Sequence, residues 1–401
     1  MKPALNVDHS TPAGPLAGIT VLDLSAYIAG PYGCSLLADQ GATVIKIEPP
    51  LGDNLRRYPS TLANESRAFL GVNRSKVGIA LDLKTAEGLE VLYRLVRSAD
   101  VLVHNFRPAV PARLGIGYAD LSRINPRLVY CAVSGYGDTG PLQNKAGYDQ
   151  VLQTMTGMCS AQAKPGCPPE ILYGSVVDYY AAAMVAGAVS SALYERERSG
   201  KGQEVGVSLL RSALAMQSAR LVWAEGEAQE IDRDMRSGGI TGIHPTREGH
   251  LYISANTPHF WQALCEKTGL QHLFHDARFD TVRKRAEQVE VIVPQLHEAL
   301  AQHSALEWEV IFGEQVPCAA ARRVDEMFDH PQCQSEALVA DFEHPELGRY
   351  RGFTRATTFS RTPGRVPYAA PQFGADSDRV LAAAGFNCEQ VAGLRLRGAV
   401  L

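Results

Sequence analysis

The chain has 401 residues, 45% hydrophobic and 20% charged, which is too long for one ordinary domain and too apolar for a disordered chain. Its 39 basic and 43 acidic residues leave a net charge of −4, so no global field draws it to nucleic acid or an anionic membrane. The eight cysteines, at 34, 131, 159, 167, 265, 318, 333 and 388, show neither CxxC nor zinc spacing, and this pattern predicts reduced thiols in a cytoplasm.

The opening MKPALNVDHSTPAGPL contains no apolar core of a secretory signal. From Gly18 the pattern alternates: strand ITVLDL, a helix through GCSLLADQG, strands TVIKIE and GIALDL, helix TAEGLEVLYRLVRSA, then strands DVLVHNF and LVYCAVSGYG. Short β-branched runs separated by helical periodicity predict βαβ units, a parallel sheet and ligand sites at the carboxyl ends of its strands. Residues 179–194 form the longest apolar run, short of a membrane span and followed by Glu195-Arg196-Glu197-Arg198, which predicts a buried helix. QEVGVSLLRSALA predicts a strand feeding a helix. The polar stretch EIDRDMRSGGITG, 230–242, marks a boundary or an active loop. Beyond it, HLYISA predicts a strand and FWQALCEKTG, VIVPQLHEALAQ and ALEWEVIFGEQ predict helices of a smaller α+β domain. The Pro/Gly-rich tail from GRYRGFTRATTF reads as an arm returning to the first domain. The expected division is therefore 1–225 with 330–401 as a large α/β domain and 226–329 as a small one.

Four groups of residues invite chemistry. Asp178 sits at a predicted helix start, where unpaired N–H groups and the helix dipole lower a carboxyl pKa; it is either a nucleophile or a helix cap. Glu48 ends the second strand, where a dinucleotide fold keeps its ribose-binding acid. The preceding turn reads AGPYG instead of GxGxxG, and Pro31 stiffens it, which excludes NAD. Arg74, Lys76, Lys84, Arg107 and Arg113 lie near strand or turn ends and form either a phosphate-holding cluster or a solvated rim. Asn105-Phe106, an amide and an aromatic plane, suit a nucleotide beside Arg107. His272, His275 and Asp276 lack a recognisable ligand spacing, and His244, His250 and His259 show no partner pattern, so no metal is predicted.

The segments GITVLDLSAYIAGPYGCSLLADQGATVIKIEPPLGDNLRR, NRSKVGIALDLKTAEG, DVLVHNFRPAVPARLGIGY, NPRLVYCAVSGYGDTGP, AGYDQ, GSVVDYYAA, SGKGQEVGVSLL and TPGRVPYAAPQFG resemble those of class III CoA-transferases. That family includes formyl-CoA transferase, carnitine CoA-transferase and the α-methylacyl-CoA racemases, and the resemblance covers nearly the whole chain. It implies a Rossmann-like large domain and an interlocked, ring-like homodimer, with 220–245 and 345–375 as its irregular arms. It implies that Asp178 is the nucleophile, carrying acyl and then CoA, with coenzyme A as a thioester substrate and no permanently bound cofactor. By the same motif matching, Asn105, Phe106, Arg107 and Arg113 contact CoA, Leu81 lies near the adenine, and Tyr148-Asp149 lie near the thioester. Gly238-Gly239 match the family's glycine loop, and Arg236 and Arg247 beside it are candidates for a distal carboxylate.

This chain has Ile28 and Pro49 where the formyl-CoA branch has glutamine and arginine, which argues against formyl-CoA and oxalate. It has Tyr148 where the racemase branch has histidine. The expectation is transfer of CoA from an acyl-CoA, succinyl-CoA being a candidate donor, to a carboxylic acid. The alternative is an α-methylacyl-CoA racemase.

Overall fold

In the computed structural model the chain divides into two compact units, Met1–Val222 with Gln332–Leu401, and Trp223–Pro331. The residues described are 13–62, 65–163, 166–226, 240–364 and 367–401.

The first unit is built on six strands, β1 (Thr20–Asp23), β2 (Thr43–Glu48), β3 (Lys76–Ala80), β4 (Val101–His104), β5 (Val129–Ser134) and β6 (Glu204–Ser208). They pair parallel throughout in the order β3-β2-β1-β4-β5-β6. This is the doubly wound order, in which the chain winds outward in both directions from the β1/β4 junction. Alternate residues feed two cores: Leu22, Ile45 and Leu102 enter one, and Val21, Val44, Val101 and Val103 enter the other. Both faces are covered, which is why the strands read as nearly continuous apolar runs.

The helices of this unit are α1 (Ala29–Asp39), α2 (Arg67–Val72), α3 (Ala86–Ser98), α4 (Ala109–Leu114), α5 (Tyr118–Ile124), α6 (Asp149–Met155), α7 (Met158–Gln162), α8 (Val176–Ser199) and α9 (Leu209–Ala215). α1 and α8 pack closely because Gly33 has no side chain; a Cβ there would lie 2.8 Å from the Val185 side chain.

α8 has the length and apolar composition to cross a membrane, and the sequence predicted a buried helix. Only one face is buried. Val177, Ala181, Val185 and Val189 enter the core, whereas Tyr179, Met184 and Tyr194 are exposed.

The tail contributes an antiparallel hairpin, β10 (Val339–His344) and β11 (Gly348–Phe353), whose second strand lies within the stretch expected to be irregular. It then packs along β3, where Gly78 N–H donates to Asp376 Oδ2 at 2.7 Å and Ser75 N–H to the Tyr368 carbonyl at 2.9 Å.

The second unit has a three-stranded antiparallel sheet, β7 (Gly242–Pro245), β8 (His250–Ile253) and β9 (Cys318–Ala320). Helices Pro258–Thr268, Val289–Leu300 and Ala305–Phe312 bury Trp261, Leu296, Trp308 and Phe312 with Leu251 and Ile253. Ser304 and Glu307 form a capping box at the start of the third of these helices.

Candidate active site

A cavity of about 250 Å³ opens at the carboxyl ends of the strands, at the β1/β4 junction. Tyr27, Ile28 and Ala29 reach it after β1, Asn105, Phe106 and Arg107 after β4, and Ser134 and Gly135 from the end of β5. Lys145, Gly147, Tyr148 and Asp178 also line it.

The loop after β1 is clamped residue by residue. Ser25 N–H donates to Asp23 Oδ1 at 3.0 Å, and the Ser25 carbonyl accepts from Lys46 Nζ at 2.5 Å. Ala26 is held at both ends by the Asn105 amide, which accepts its N–H at 2.9 Å and donates to its carbonyl at 2.7 Å. Tyr27 N–H donates to Asp53 Oδ1 at 3.2 Å. These bonds hold Tyr27 at φ 65°, a left-handed conformation costly for a residue with a Cβ.

Beneath the loop lies a buried charge network. Lys46 pairs with Asp53 at 2.9 Å and Lys76 with Asp23 at 2.8 Å, all four fully buried. Burial pushes the Asp23 carboxyl up, but Lys76 and Lys46 outweigh it and hold Asp23 below its ordinary value.

Asp178 occupies the first turn of α8, one residue past Val177. The helix N-terminus is held from outside by Asp149, whose Oδ2 accepts Val177 N–H at 2.7 Å and Asp178 N–H at 2.9 Å. Asp178 is thus freed from capping, and its carboxylate has no hydrogen-bond partner among the described residues. Burial pushes its pKa up to about 7, and the Asp149 carboxylate adds to the rise. The lowered pKa expected from the helix start is overturned. A helix dipole supplies about 0.3–1 kcal/mol, less than one pKa unit, and cannot offset a climb from 3.8 to about 7. A half-buried carboxylate without hydrogen-bond donors is costly to ionise and reactive once ionised.

The model of CoA-transferase family III matches residues 16–377. The chain belongs to CoA-transferase family III. Acetyl-CoA:oxalate CoA-transferase of Acetobacter aceti is 37% identical over 334 residues, covering 82% of this chain and 86% of that protein. Succinate–glutarate CoA-transferase of Agrobacterium fabrum is 32% identical over 386 residues, covering 92% and 95%. The crystal structure of a CAIB/BAIF family protein from Brucella suis superimposes with a TM-score of 0.83 at 26% identity, covering 93% of this chain and all of that one.

The transferase brings some of its expected residues together and not others. Asn105, Phe106, Arg107, Tyr148 and Asp178 line one cavity. The Asn105 amide is spent on Ala26, so its side chain positions the loop. Phe106 stacks on His104, ring centroids 5.4 Å apart. Asp149 is buried, with Oδ1 accepting from Gln153 and Oδ2 from α8, so its carboxylate is occupied in orienting the site from behind. Leu81 is buried in the core, where its backbone pairs with Val400, so its side chain is closed to an adenine. Arg113, in the last turn of α4, is exposed outside the cavity wall. Gly238, Gly239 and Arg236 lie outside the described residues.

The basic cluster divides. Arg74 pairs with Asp39 at 2.5 Å and Lys76 with Asp23, both buried and closed to phosphate, which leaves Lys84, Arg107 and Arg113 exposed. Glu48 is gripped by Arg56 through two bonds of 2.8 Å and accepts Asp53 N–H, so it is unavailable to any ribose.

In the second unit Arg247 pairs with Glu307 at 2.7 Å, and Asp276 pairs with Arg278 at the same distance. His272 bonds Gln295, and His244, expected to stand alone, bonds His297 at 3.2 Å. Sequence reasoning missed Tyr27, Ser134 and the Asp23–Lys46–Asp53–Lys76 network. The signal was present in charges within or beside apolar strands, but their partners lie 7 and 53 residues apart.

Proposed function

We propose that the chain moves CoA from an acyl-CoA, with succinyl-CoA as the first donor to test, to a carboxylic acid through Asp178. The Asp178 carboxylate attacks the thioester carbonyl, the carbon–sulfur bond breaks, and CoA leaves as thiolate with a mixed anhydride left on the enzyme. The thiolate then attacks the aspartyl carbonyl, releasing the donor acid as its carboxylate and forming an aspartyl thioester. The acceptor carboxylate reverses these two steps. Arg107, exposed at the cavity wall, is placed to meet the CoA phosphates.

The observation that carries this reading is the Asp178 carboxylate on the cavity wall, raised to about 7 and unpartnered among the described residues. Family membership and relatives named for glutarate and oxalate support the same reaction class. The oxalate relative returns oxalate to the acids to be tested. The racemase alternative needs a second proton-transfer group on the opposite face, and this chain has Tyr148 where the racemase branch has histidine. The proposal includes a cytoplasmic, interlocked homodimer.

The test is a panel of acids offered with succinyl-CoA and read by mass spectrometry, with hydroxylamine trapping of donor-treated enzyme. The expected result is new acyl-CoA and a label on Asp178. Deuterium entry into a 2-methylacyl-CoA without an acceptor acid, and no CoA transfer, would make the racemase the better reading.

A further inference from the structure

We propose that Tyr27 is a specificity residue that reads the end of the acceptor acid remote from its reacting carboxylate, donating its phenolic proton to a second carboxylate there. The inference rests on the transferase reading and deepens it to a substrate class, short dicarboxylic acids.

The geometry begins with the backbone. Nothing in the ring of Tyr27 requires φ 65°, and a non-glycine residue persists there only where its surroundings hold it. Asp53, Asn105 and Lys46 supply that restraint through the bonds to residues 25–27. The result is an aromatic side chain presented to the cavity, edge to face with Tyr148 at 5.8 Å between centroids.

The phenol is wired in one direction. Arg57 Nη2 donates to Asn54 Oδ1 at 3.0 Å, which turns the Asn54 amide so that Nδ2 donates to the Tyr27 oxygen at 3.3 Å. The Tyr27 oxygen is thereby filled as an acceptor, and its own proton, shared with the Tyr148 hydroxyl, is the one a ligand carboxylate takes over. Burial and Tyr148 push its pKa up, which keeps that proton in place.

Position assigns the ligand atom. Asn54, Arg57 and Tyr148 are exposed, so the phenol lies toward the solvent side of the cavity, whereas Asp178 lies half-buried in the first turn of α8. An acid whose carboxylate reacts near Asp178 therefore turns its other end toward Tyr27. Lys145 lines the same cavity, exposed and without an ion-pair partner among the described residues, and it favours an anionic group at that end.

The test measures initial rates for glutarate and butyrate as acceptors, with acetyl-CoA and succinyl-CoA as donors, in wild type, Tyr27→Phe and Asn54→Ala. Tyr27→Phe keeps the Cβ and the ring, and an unchanged melting temperature verifies the fold. The expected result is a fall of roughly tenfold to a hundredfold in kcat/KM for glutarate, the size of one hydrogen bond to a charge. Butyrate and the KM for acetyl-CoA should stay unchanged, the KM for succinyl-CoA should rise with the loss for glutarate, and Asn54→Ala should cause a smaller fall for glutarate alone. Equal losses for both acids would place the phenol at the reacting carbonyl and overturn the proposal, as would rates unchanged for both. A wild-type enzyme that moves CoA to butyrate and not to glutarate would also overturn the proposal, whereas one that moves CoA to no acid of the panel would instead overturn the transferase reading beneath it.

Discussion

The Asp149 carboxylate holds the start of α8 by accepting the N–H groups of Val177 at 2.7 Å and Asp178 at 2.9 Å, so one acid fixes the direction in which the other points. The two are coupled in charge as well as in geometry, because Asp149 raises the Asp178 pKa.

The pH profile follows from this coupling. The nucleophile must be ionised, so kcat/KM should rise with pH through about 7, where Asp178 loses its proton in the free enzyme. Asp149→Asn removes the neighbouring charge but keeps an acceptor for α8, and the midpoint should move to lower pH. A midpoint that stays in place in the variant would separate the two acids.

Asp178→Asn should abolish transfer and stabilise the protein. Activity should fall by on the order of a thousandfold or more, as loss of a nucleophile does. The folded pKa of about 7 stands above the ordinary value of 3.8, so the folded state binds more protons than the unfolded state between them. Wild-type stability therefore declines as pH rises through that window, and the charged carboxylate is a cost above it. Removing the charge should restore roughly 2–4 kcal/mol at pH 8 and little at pH 4, read from denaturant midpoints at both. Equal effects at the two pH values would contradict the raised pKa.

Lys46→Met should be strongly destabilising although it touches no substrate. It would leave Asp53 buried without its cation and free the Ser25 carbonyl, at a cost of roughly 3–5 kcal/mol. The urea midpoint should fall accordingly. A change under about 1 kcal/mol would show that the network adds no net stability, as some buried pairs do not.

Arg107→Ala should raise the KM for acyl-CoA more than the KM for the acid, by roughly tenfold or more, the size of a lost charge-assisted contact. Arg113→Ala should do less, because Arg113 lies outside the cavity wall. Steady-state kinetics with each substrate varied in turn decides both.

Local pattern was enough to determine the α/β class and the parallel sheet, because strand period and helix period are written into consecutive residues such as TVLD and AEGLEVLYRLVRS. It also brought Asp178 and the Asn105-Phe106-Arg107 run to attention, since the first opens a predicted helix, the second closes a predicted strand, and both carry motif matches. The tertiary structure decided which side chains are free. From sequence, Arg74, Lys76 and Arg107 are three cations near strand or turn ends; folding pairs the first two with Asp39 and Asp23 and leaves the third at the cavity. It also decided the charge state of Asp178. A helix start lowers a carboxyl pKa when judged locally, but burial and an acid 29 residues away in sequence raise it. Desolvation and charge pairing depend on distances through space, which no local stretch of chain contains.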